Sequence, residues 1–221
     1  MESKVKLFSF VRFAVHSLTA LVLLALVAIP LAAGTVTVQS DANNLGATVD
    51  PNSPAFAQGN ITGLTFTPVG IDNLGSFTSP PPGAPLGTLV VQVPPECGGG
   101  CGQSGFIKTT FTLPSSFSAI SLTGAGNVDD SGYVFLNGNL ISGPLSEFGN
   151  VAFSTDVASF FLPGVNTLVV SDNNSGGGPS GVAFYANVNY TTSATPEPAS
   201  MIMLATGLVG LGGVIRRKLA L

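Results

Sequence analysis

The 221-residue sequence predicts an all-β body, a β-sandwich, with an N-terminal signal helix and a single C-terminal transmembrane helix. Two observations predict the body. Alternating apolar segments of about six residues recur between Gly- and Asn-rich turns, and no internal window has the periodicity and caps of an amphipathic helix. The third observation is an apolar run at each end of the chain, at residues 13–33 and 199–215.

Residues 1–33 are predicted to be a signal peptide. Lys4, Lys6 and Arg12 form a basic segment before the apolar run, and the small residue Ala33 offers a cleavage site. Because the run is long for a signal peptide, an uncleaved N-terminal anchor is the alternative.

Residues 34–60 form a lead segment rich in Pro, Asn and Gly, with one short alternating piece at residues 35–38. The β-sandwich domain is predicted from residue 61 to residue 192. Its expected strands cover residues 64–67, 88–93, 106–113, 119–123, 167–171 and 182–190.

A hairpin is predicted near the middle of this domain. Val134 and Leu136 are expected to face the same side of a strand because they are two residues apart. Asn137-Gly138 follows them, and this dipeptide is typical of a tight turn into a second strand at Leu140.

The charge of the body restricts its partners. Between residues 34 and 195, Lys108 is the only cation against nine acids, which gives a net charge of −8. The acids are Asp41, Asp50, Asp72, Glu96, Asp129, Asp130, Glu147, Asp156 and Asp172. Such a surface repels phosphate backbones, so nucleic acid is excluded as a partner, whereas neutral sugars or calcium are compatible with it.

Most hydrolytic mechanisms are also excluded. The body has no Trp and no His, so it can hold neither a His-based triad nor a His-ligated zinc ion. Paired carboxylates are the remaining acid/base option, but Asp129 and Asp130 are adjacent and would point to opposite faces of an extended segment. We therefore expect a protein that is not an enzyme.

Cys97 and Cys101 lie on either side of three glycines. Export to an oxidising compartment favours a disulfide between them, while a metal role would need more ligands than two thiols. A loop this short contributes only about 2 kcal/mol or less of stabilisation.

Oxygen-bearing side chains occur near two turns. These residues are Asp129, Asp130, Asn137, Asp172, Asn173 and Asn174. Carboxylate and amide oxygens from two loops could form a calcium or glycan site, since calcium takes six to eight oxygens. The alternative is that they are turn residues that satisfy local backbone groups.

Tyrosines are the candidate platforms for a sugar. They are Tyr133, Tyr185 and Tyr190, with Asn173, Asn174 and Asn187 near them along the chain. Strand alternation equally allows Tyr133 to lie in the core.

The chain ends with a linker at residues 193–198, an apolar run at residues 199–215 and a basic tail at residues 216–221. The marker residues are Pro196, Glu197 and Pro198 in the linker and Arg216, Arg217 and Lys218 in the tail. A 17-residue helix reaches about 26 Å, enough for a thin bilayer. Because basic residues stay in the cytoplasm, the body is predicted to lie across the membrane.

This order of proline-glutamate-proline, apolar span and basic end closely resembles the PEP-CTERM sorting tail. The resemblance implies processing by the membrane protease exosortase in a diderm bacterium that makes extracellular polysaccharide. It also implies an inner-membrane intermediate and delivery to the cell surface or matrix. A plain C-terminal anchor is the alternative.

Three segments of the body carry a second resemblance: DDSGYVFLNG, LPGVNTLVV and PSGV, at residues 129–138, 162–170 and 179–182. They resemble scaffold elements of galactose-binding-like jelly-roll domains over roughly residues 105–190. Many such domains are purely structural, so the resemblance indicates a fold and no particular ligand.

We expect an exported, non-enzymatic surface or matrix protein that binds or organises extracellular polysaccharide. Its expected partners are an exosortase-type protease, the membrane through the C-terminal helix, and polysaccharide. No cofactor is expected apart from calcium at the site above. The alternatives are a structural or adhesive surface protein without a small ligand and, from the tail type alone, an ice-binding protein.

Overall fold

A computed structural model describes residues 31–71, 78–94, 103–147, 149–175, 178–193, 206–212 and 215–217. Within these ranges, residues 33–192 form one unit made mostly of β-strands in two six-stranded sheets. The expectation of an all-β, sandwich-like body is therefore confirmed.

Sheet A has the strand order β12-β7-β14-β5-β4, with β1 also pairing with β14. Its strands are β1 (Leu31–Gln39), β4 (Gly70–Ile71), β5 (Val91–Gln92), β7 (Ser118–Asp129), β12 (Val151–Thr155) and β14 (Gly181–Ser193). The longest pairing in this sheet joins β7 and β14 in antiparallel register.

Sheet B has the order β10-β9-β13-β6-β2-β3. Its strands are β2 (Leu45–Thr48), β3 (Thr67–Pro68), β6 (Gly105–Leu113), β9 (Val134–Leu136), β10 (Asn139–Leu140) and β13 (Gly164–Asp172). A separate short pair joins β8 (Ser131–Gly132) to β11 (Leu145–Ser146).

The main core lies between the two sheets. Alternate residues of β14 and β7, such as Phe184 and Leu122, are buried from sheet A, and Ile107, Leu136 and Leu168 are buried from sheet B. Period-two alternation produces this division, because successive side chains of a strand point to opposite faces.

A second core covers the outer face of sheet B. It is formed by Val49, Phe56, Phe106, Phe135 and Val169. Phe56 lies on the one-turn helix α1 (Pro54–Ala57), and its ring stacks on Phe106 with centroids 5.5 Å apart. Since Phe135 packs here while its strand neighbours pack in the main core, β9 is buried on both faces.

Several predicted elements are observed. The strand expected at residues 106–113 is β6, and the strands at 167–171 and 182–190 are the central parts of β13 and β14. The hairpin is confirmed: Leu136 pairs with Asn139 across a two-residue turn in which Asn137 and Gly138 have φ of 48° and 82°. Positive φ at both positions is the reason for Asn-Gly there.

Two predicted strands are shorter in the structure, and one short helix was not predicted. The strand expected at residues 64–67 is reduced to Thr67–Pro68, and that at residues 88–93 is reduced to Val91–Gln92. The helix α1 was not expected. A helix this short shows no helical periodicity in the sequence, so it could not be predicted from the apolar pattern. Ser53 caps it by accepting a hydrogen bond of 3.2 Å from the Phe56 N–H.

The ends of the chain are described in part. Residues 1–30, with most of the expected signal peptide, lie outside the described residues, as do Cys97 and Cys101. Of the expected transmembrane segment, residues 206–212 and residue 215 are described, and they are helical. No helix among the described residues is long and apolar enough to cross a membrane.

Candidate functional site

The ends of strands from opposite sheets meet at one end of the sandwich. β7 of sheet A ends at Asp129, and β13 of sheet B ends at Asp172. The Asn173 N–H donates to the Ser131 carbonyl oxygen at 2.7 Å, which joins the two strand ends. Three of the acids expected at a site are thus brought together by the fold.

A fourth acid, Glu147, completes a carboxylate cluster. Asp129, Asp130 and Glu147 each place one carboxylate oxygen within 4.8 Å of the others. Glu147 directly follows β11, which pairs with β8 so that Ser146 lies opposite Ser131. No local pattern identifies Glu147, because only the register of this short pair places it beside Asp130.

Asp172 is fully buried next to this cluster. Burial raises the pKa of its carboxyl group well above the usual value; the hydrogen bond from Ser180 lowers it, and the charges of Asp129 and Asp130 raise it further. Its Oδ1 atom is buried, and no hydrogen bond joins it to the part of the chain that the structure describes. Such an atom is costly unless the group is neutral or a cation lies near it.

The hydroxyl of Ser180 links Asp172 to Asp129. Ser180 Oγ is 2.6 Å from Asp172 Oδ2 and 2.9 Å from the main-chain carbonyl oxygen of Asp129. One hydroxyl carries a single proton, so it can donate to only one of these oxygens. Both contacts become hydrogen bonds when Asp172 is protonated and donates to Ser180, which then donates to Asp129.

Side chains of the following loop are held against the cluster. Asp130 Oδ2 accepts from both the N–H and the hydroxyl of Ser175 at 2.7 Å. Asn174 Nδ2 donates to the Gly178 carbonyl oxygen at 2.8 Å. These contacts connect the loop after β13 to the Asp129–Asp130 junction.

Asn137 lies apart from these residues, at the other end of β9. Its Oδ1 accepts from the Thr167 N–H, and its Nδ2 donates to Phe160 O and Asn166 Oδ1, each at 2.8 Å. Both the Oδ1 and the Nδ2 atom of Asn137 are therefore hydrogen-bonded within the protein. These contacts of Asn137 are the kind expected of a turn residue.

The outer face of sheet A carries a row of polar side chains. This polar face consists of Thr35, Thr37, Ser121, Thr123, Ser154, Tyr185, Asn187 and Asn189. Thr37 Oγ1 donates to Asn187 Oδ1 at 2.7 Å, and Thr35 Oγ1 donates to Asn189 Oδ1 at 2.8 Å. Sequence reasoning identified Tyr185 and Asn187 but missed the threonines of β1, which only strand pairing brings alongside.

A groove of about 440 Å³ lies between the segment after α1 and the turn after β9. Its polar lining comes from Gln58, Asn60, Thr62, Asn137 and Thr167. Asn60 Oδ1 accepts from the Thr62 N–H at 3.0 Å. The groove therefore offers amides and hydroxyls, several of them already hydrogen-bonded within the protein.

The remaining candidates have structural positions or are not described. Tyr133 packs against the second core and Tyr190 against the main core. Arg216 and Arg217 are exposed in the helical residues 215–217. Pro196, Glu197, Pro198 and Lys218 lie outside the described residues.

Residues 194–218 match the PEP-CTERM protein-sorting motif. This confirms the sorting tail expected from the sequence and implies export toward the cell surface and processing by an exosortase. No curated protein matches the chain.

Among solved structures, the chain is similar to Ruminococcus gnavus β-glucuronidase, with 16% identity, a TM-score of 0.41 and coverage of 71% of this chain. A β-glucuronidase from an uncultured Clostridium sp. gives 14% identity, a TM-score of 0.41 and coverage of 72%. This chain spans 29% of the length of each enzyme. Identities and TM-scores this low carry no information on activity.

Proposed function

We propose that this protein is an exported, non-enzymatic surface or matrix protein that binds extracellular polysaccharide through the polar face of sheet A. Export toward the surface follows from the sorting motif at residues 194–218. The binding role is supported by the arrangement of side chains on β1 and β14.

The observation that carries the proposal is the pair of hydrogen bonds between the threonines of β1 and the asparagines of β14. Because Asn187 Oδ1 and Asn189 Oδ1 accept from threonine hydroxyls, both amides are held in one orientation. Their N–H groups then remain as donors for sugar hydroxyls, beside the half-buried ring of Tyr185. Polar groups held on a rigid sheet lose little freedom on binding, which favours affinity.

The placement of the acids supports binding without hydrolysis. None of the residues that form the polar face or line the groove described above carries a carboxylate. The described carboxylates that do cluster lie at the end of the sandwich, and Asp172 among them is fully buried. Hydrolysis of a glycosidic bond needs an acid and a base across the bound sugar.

The route to the surface forms the second part of the proposal. An exosortase would recognise Pro196, Glu197 and Pro198, with residues 199–215 as a temporary membrane span and Arg216, Arg217 and Lys218 in the cytoplasm. The body would be a galactose-binding-like jelly roll, with no cofactor needed for sugar binding.

The test is glycan binding by the full chain in detergent micelles. An array of neutral and acidic oligosaccharides is probed first, followed by polysaccharide purified from the producing culture. The net charge of −8 predicts that neutral sugars bind more tightly than acidic ones. Asn187→Ala is expected to weaken binding about tenfold or more, since it removes a preorganised donor.

Two matched asparagine variants locate the binding surface. Asn52→Ala, at an exposed position, should keep wild-type binding. Asn60→Ala should also keep it; loss of binding in this variant alone would move the ligand to the groove. A blank array with a folded protein would reject polysaccharide binding and favour the structural or adhesive alternative.

A further inference from the structure

We infer that the groove between the segment after α1 and the turn after β9 is a second binding site for neutral polysaccharide, and that the protein cross-links polysaccharide chains through two opposite faces. This inference rests on the proposed binding by the polar face of sheet A. It adds a site on sheet B, so that one protein molecule holds two polymer chains.

The groove lies on the outer face of sheet B. Thr167 and Val169 of β13 line it from the sheet, and Leu168 between them is buried in the main core. Residues 58–62 line it from the segment after α1, and residues 137–138 line it from the hairpin turn. Because the polar face is the outer surface of sheet A, the main core separates the two surfaces.

The groove forms where the covering of sheet B ends. Val169 is covered by the second core, whereas Val165, four residues earlier on the same face, is 63% exposed. On the neighbouring strand β6, Thr110 and Thr112 are also exposed, and they pair with Thr167 and Val165. The groove is therefore continuous with an uncovered part of the sheet, along which a polymer chain can continue.

The lining of the groove favours a neutral ligand with many hydroxyl groups. None of the residues that line it is charged; they supply amides, hydroxyls and the apolar side chains of Ile61 and Val169. A sugar ring has the same mixture, with hydroxyls at its edge and C–H groups on its faces. The volume of about 440 Å³ is in the range of small-molecule sites. A short stretch of a neutral sugar chain thus matches the groove in size and polarity.

Two polar side chains of the groove are available to a ligand. Asn60 Oδ1 accepts from the Thr62 N–H at 3.0 Å, which orients the amide and leaves its Nδ2 group without a hydrogen bond to the described residues. Thr167 is half-buried, and its hydroxyl likewise has no hydrogen bond to the described part of the chain. The groove therefore offers a sugar a preoriented donor and a hydroxyl that can donate and accept.

The placement of the two sites on opposite faces determines what they do together. A straight polymer segment that lies along the polar face of sheet A does not reach the groove on sheet B. The two sites therefore do not strengthen each other on one segment, and each holds a different segment. The groove offers fewer side chains than the polar face, so it is expected to be the weaker of the two sites.

The experiment compares binding with cross-linking for the full chain, with detergent micelles in large excess so that each micelle holds one chain. Polysaccharide purified from the producing culture is immobilised to measure binding, and it is mixed with the protein in solution to measure turbidity. The wild-type chain is expected to bind and to raise turbidity. The turbidity should pass through a maximum as protein is added, because excess protein saturates each polymer separately.

Two variants remove the groove and spare the polar face. Asn60→Ala and Thr167→Val should each lower the maximum turbidity at least about fivefold, because a molecule with one site cannot join two chains. Both should retain wild-type binding to immobilised polysaccharide through the polar face. Asn52→Ala, at an exposed position that does not line the groove, should keep both properties.

Two results would overturn the inference and leave binding by the polar face intact. They are a wild-type chain that binds polysaccharide without raising turbidity, and folded Asn60→Ala and Thr167→Val that both cross-link as well as wild type. Absence of polysaccharide binding by the wild-type chain would instead overturn the proposed function, and the inference with it. If neither groove variant folds, the turbidity maximum of the wild-type chain decides.

Discussion

Asn137 and Asn166 are 29 residues apart in sequence, yet Asn137 Nδ2 donates to Asn166 Oδ1 at 2.8 Å. Asn166 is fully buried, and its amide also binds Leu162 through both the N–H and the carbonyl oxygen. The pair thereby fixes the turn before β13 to the hairpin after β9. It is a structural unit at the end of sheet B opposite the carboxylate cluster.

Asn166→Ala is expected to destabilise the protein by about 1–3 kcal/mol, because it removes a fully buried amide and leaves the Leu162 N–H and one Asn137 N–H without their acceptor. Denaturant unfolding measures the change. Asn43→Ala, at an exposed position, should change the free energy of unfolding by less than about 0.5 kcal/mol. Equal effects of the two substitutions would contradict the role of the amide pair.

Gly59→Ala is expected to destabilise the second core. Gly59 has a φ of 61°, and a Cβ there would overlap the ring of Phe135. Gly63→Ala is the matched control, since Gly63 has a φ of 78° but no atom within 4 Å of its Cβ position. The control should cost about 1–2 kcal/mol for the backbone alone. Thermal unfolding should show a larger loss for Gly59→Ala; equal losses would mean that Phe135 moves aside without cost.

Asp172→Asn, measured in calcium-free buffer, tests whether the buried carboxyl group of Asp172 is protonated in the folded protein. The pKa of Asp172 is raised in the folded state, so between the unfolded and folded pKa values folding takes up a proton. Its contribution to stability is therefore most favourable below the unfolded pKa and declines as the pH rises toward the folded pKa. The asparagine variant lacks this decline, so its stability relative to wild type should increase with pH by up to about 1.4 kcal/mol per pH unit.

Chemical denaturation from pH 4 to pH 7 in the presence of a chelator measures that difference. Asp156→Asn provides the control, since this acid is exposed and should give no such trend. A constant difference between Asp172→Asn and wild type would show that Asp172 is ionised across the range in the folded protein.

Removal of the tail should depend on the proline-glutamate-proline residues. Intact mass spectrometry of protein recovered from culture is expected to show loss of residues near or after the motif at 196–198. Glu197→Ala should retain the full C-terminal mass, because the marker for the protease is altered. A strain without exosortase should give the same full mass; an unchanged cleaved product in that strain would assign processing to another protease.

The sequence predicted well those parts of the fold that depend on local alternation. β6 and the Asn137-Gly138 hairpin are specified by neighbouring residues, whose period and turn chemistry leave few options. The two-residue strands β3 and β5 were expected to be longer. Their sequences have the residue pattern of strands. However, Pro68 in β3 has no N–H to donate to a neighbouring strand, and β5 pairs with β14 over only a short stretch.

The candidate site was predicted less completely, for a physical reason. Asp129, Asp130 and Asp172 were predicted because acidic residues at the ends of predicted strands can be recognised from the sequence alone. Glu147 joins them only through the pairing of β11 with β8, and Thr37 meets Asn187 only through the pairing of β1 with β14. Contacts between residues this far apart in sequence follow from register, which no local pattern specifies.

β14 lies between β7 and β1 within sheet A, with ten paired residues along β7. A pulling force that enters the body at residue 192 therefore runs along a strand held on both sides. The hydrogen bonds of both ladders must then break together in shear, which resists extension far better than opening them one at a time. A body held by its C-terminal end while bound to an external polymer would then carry mechanical load along this doubly paired strand.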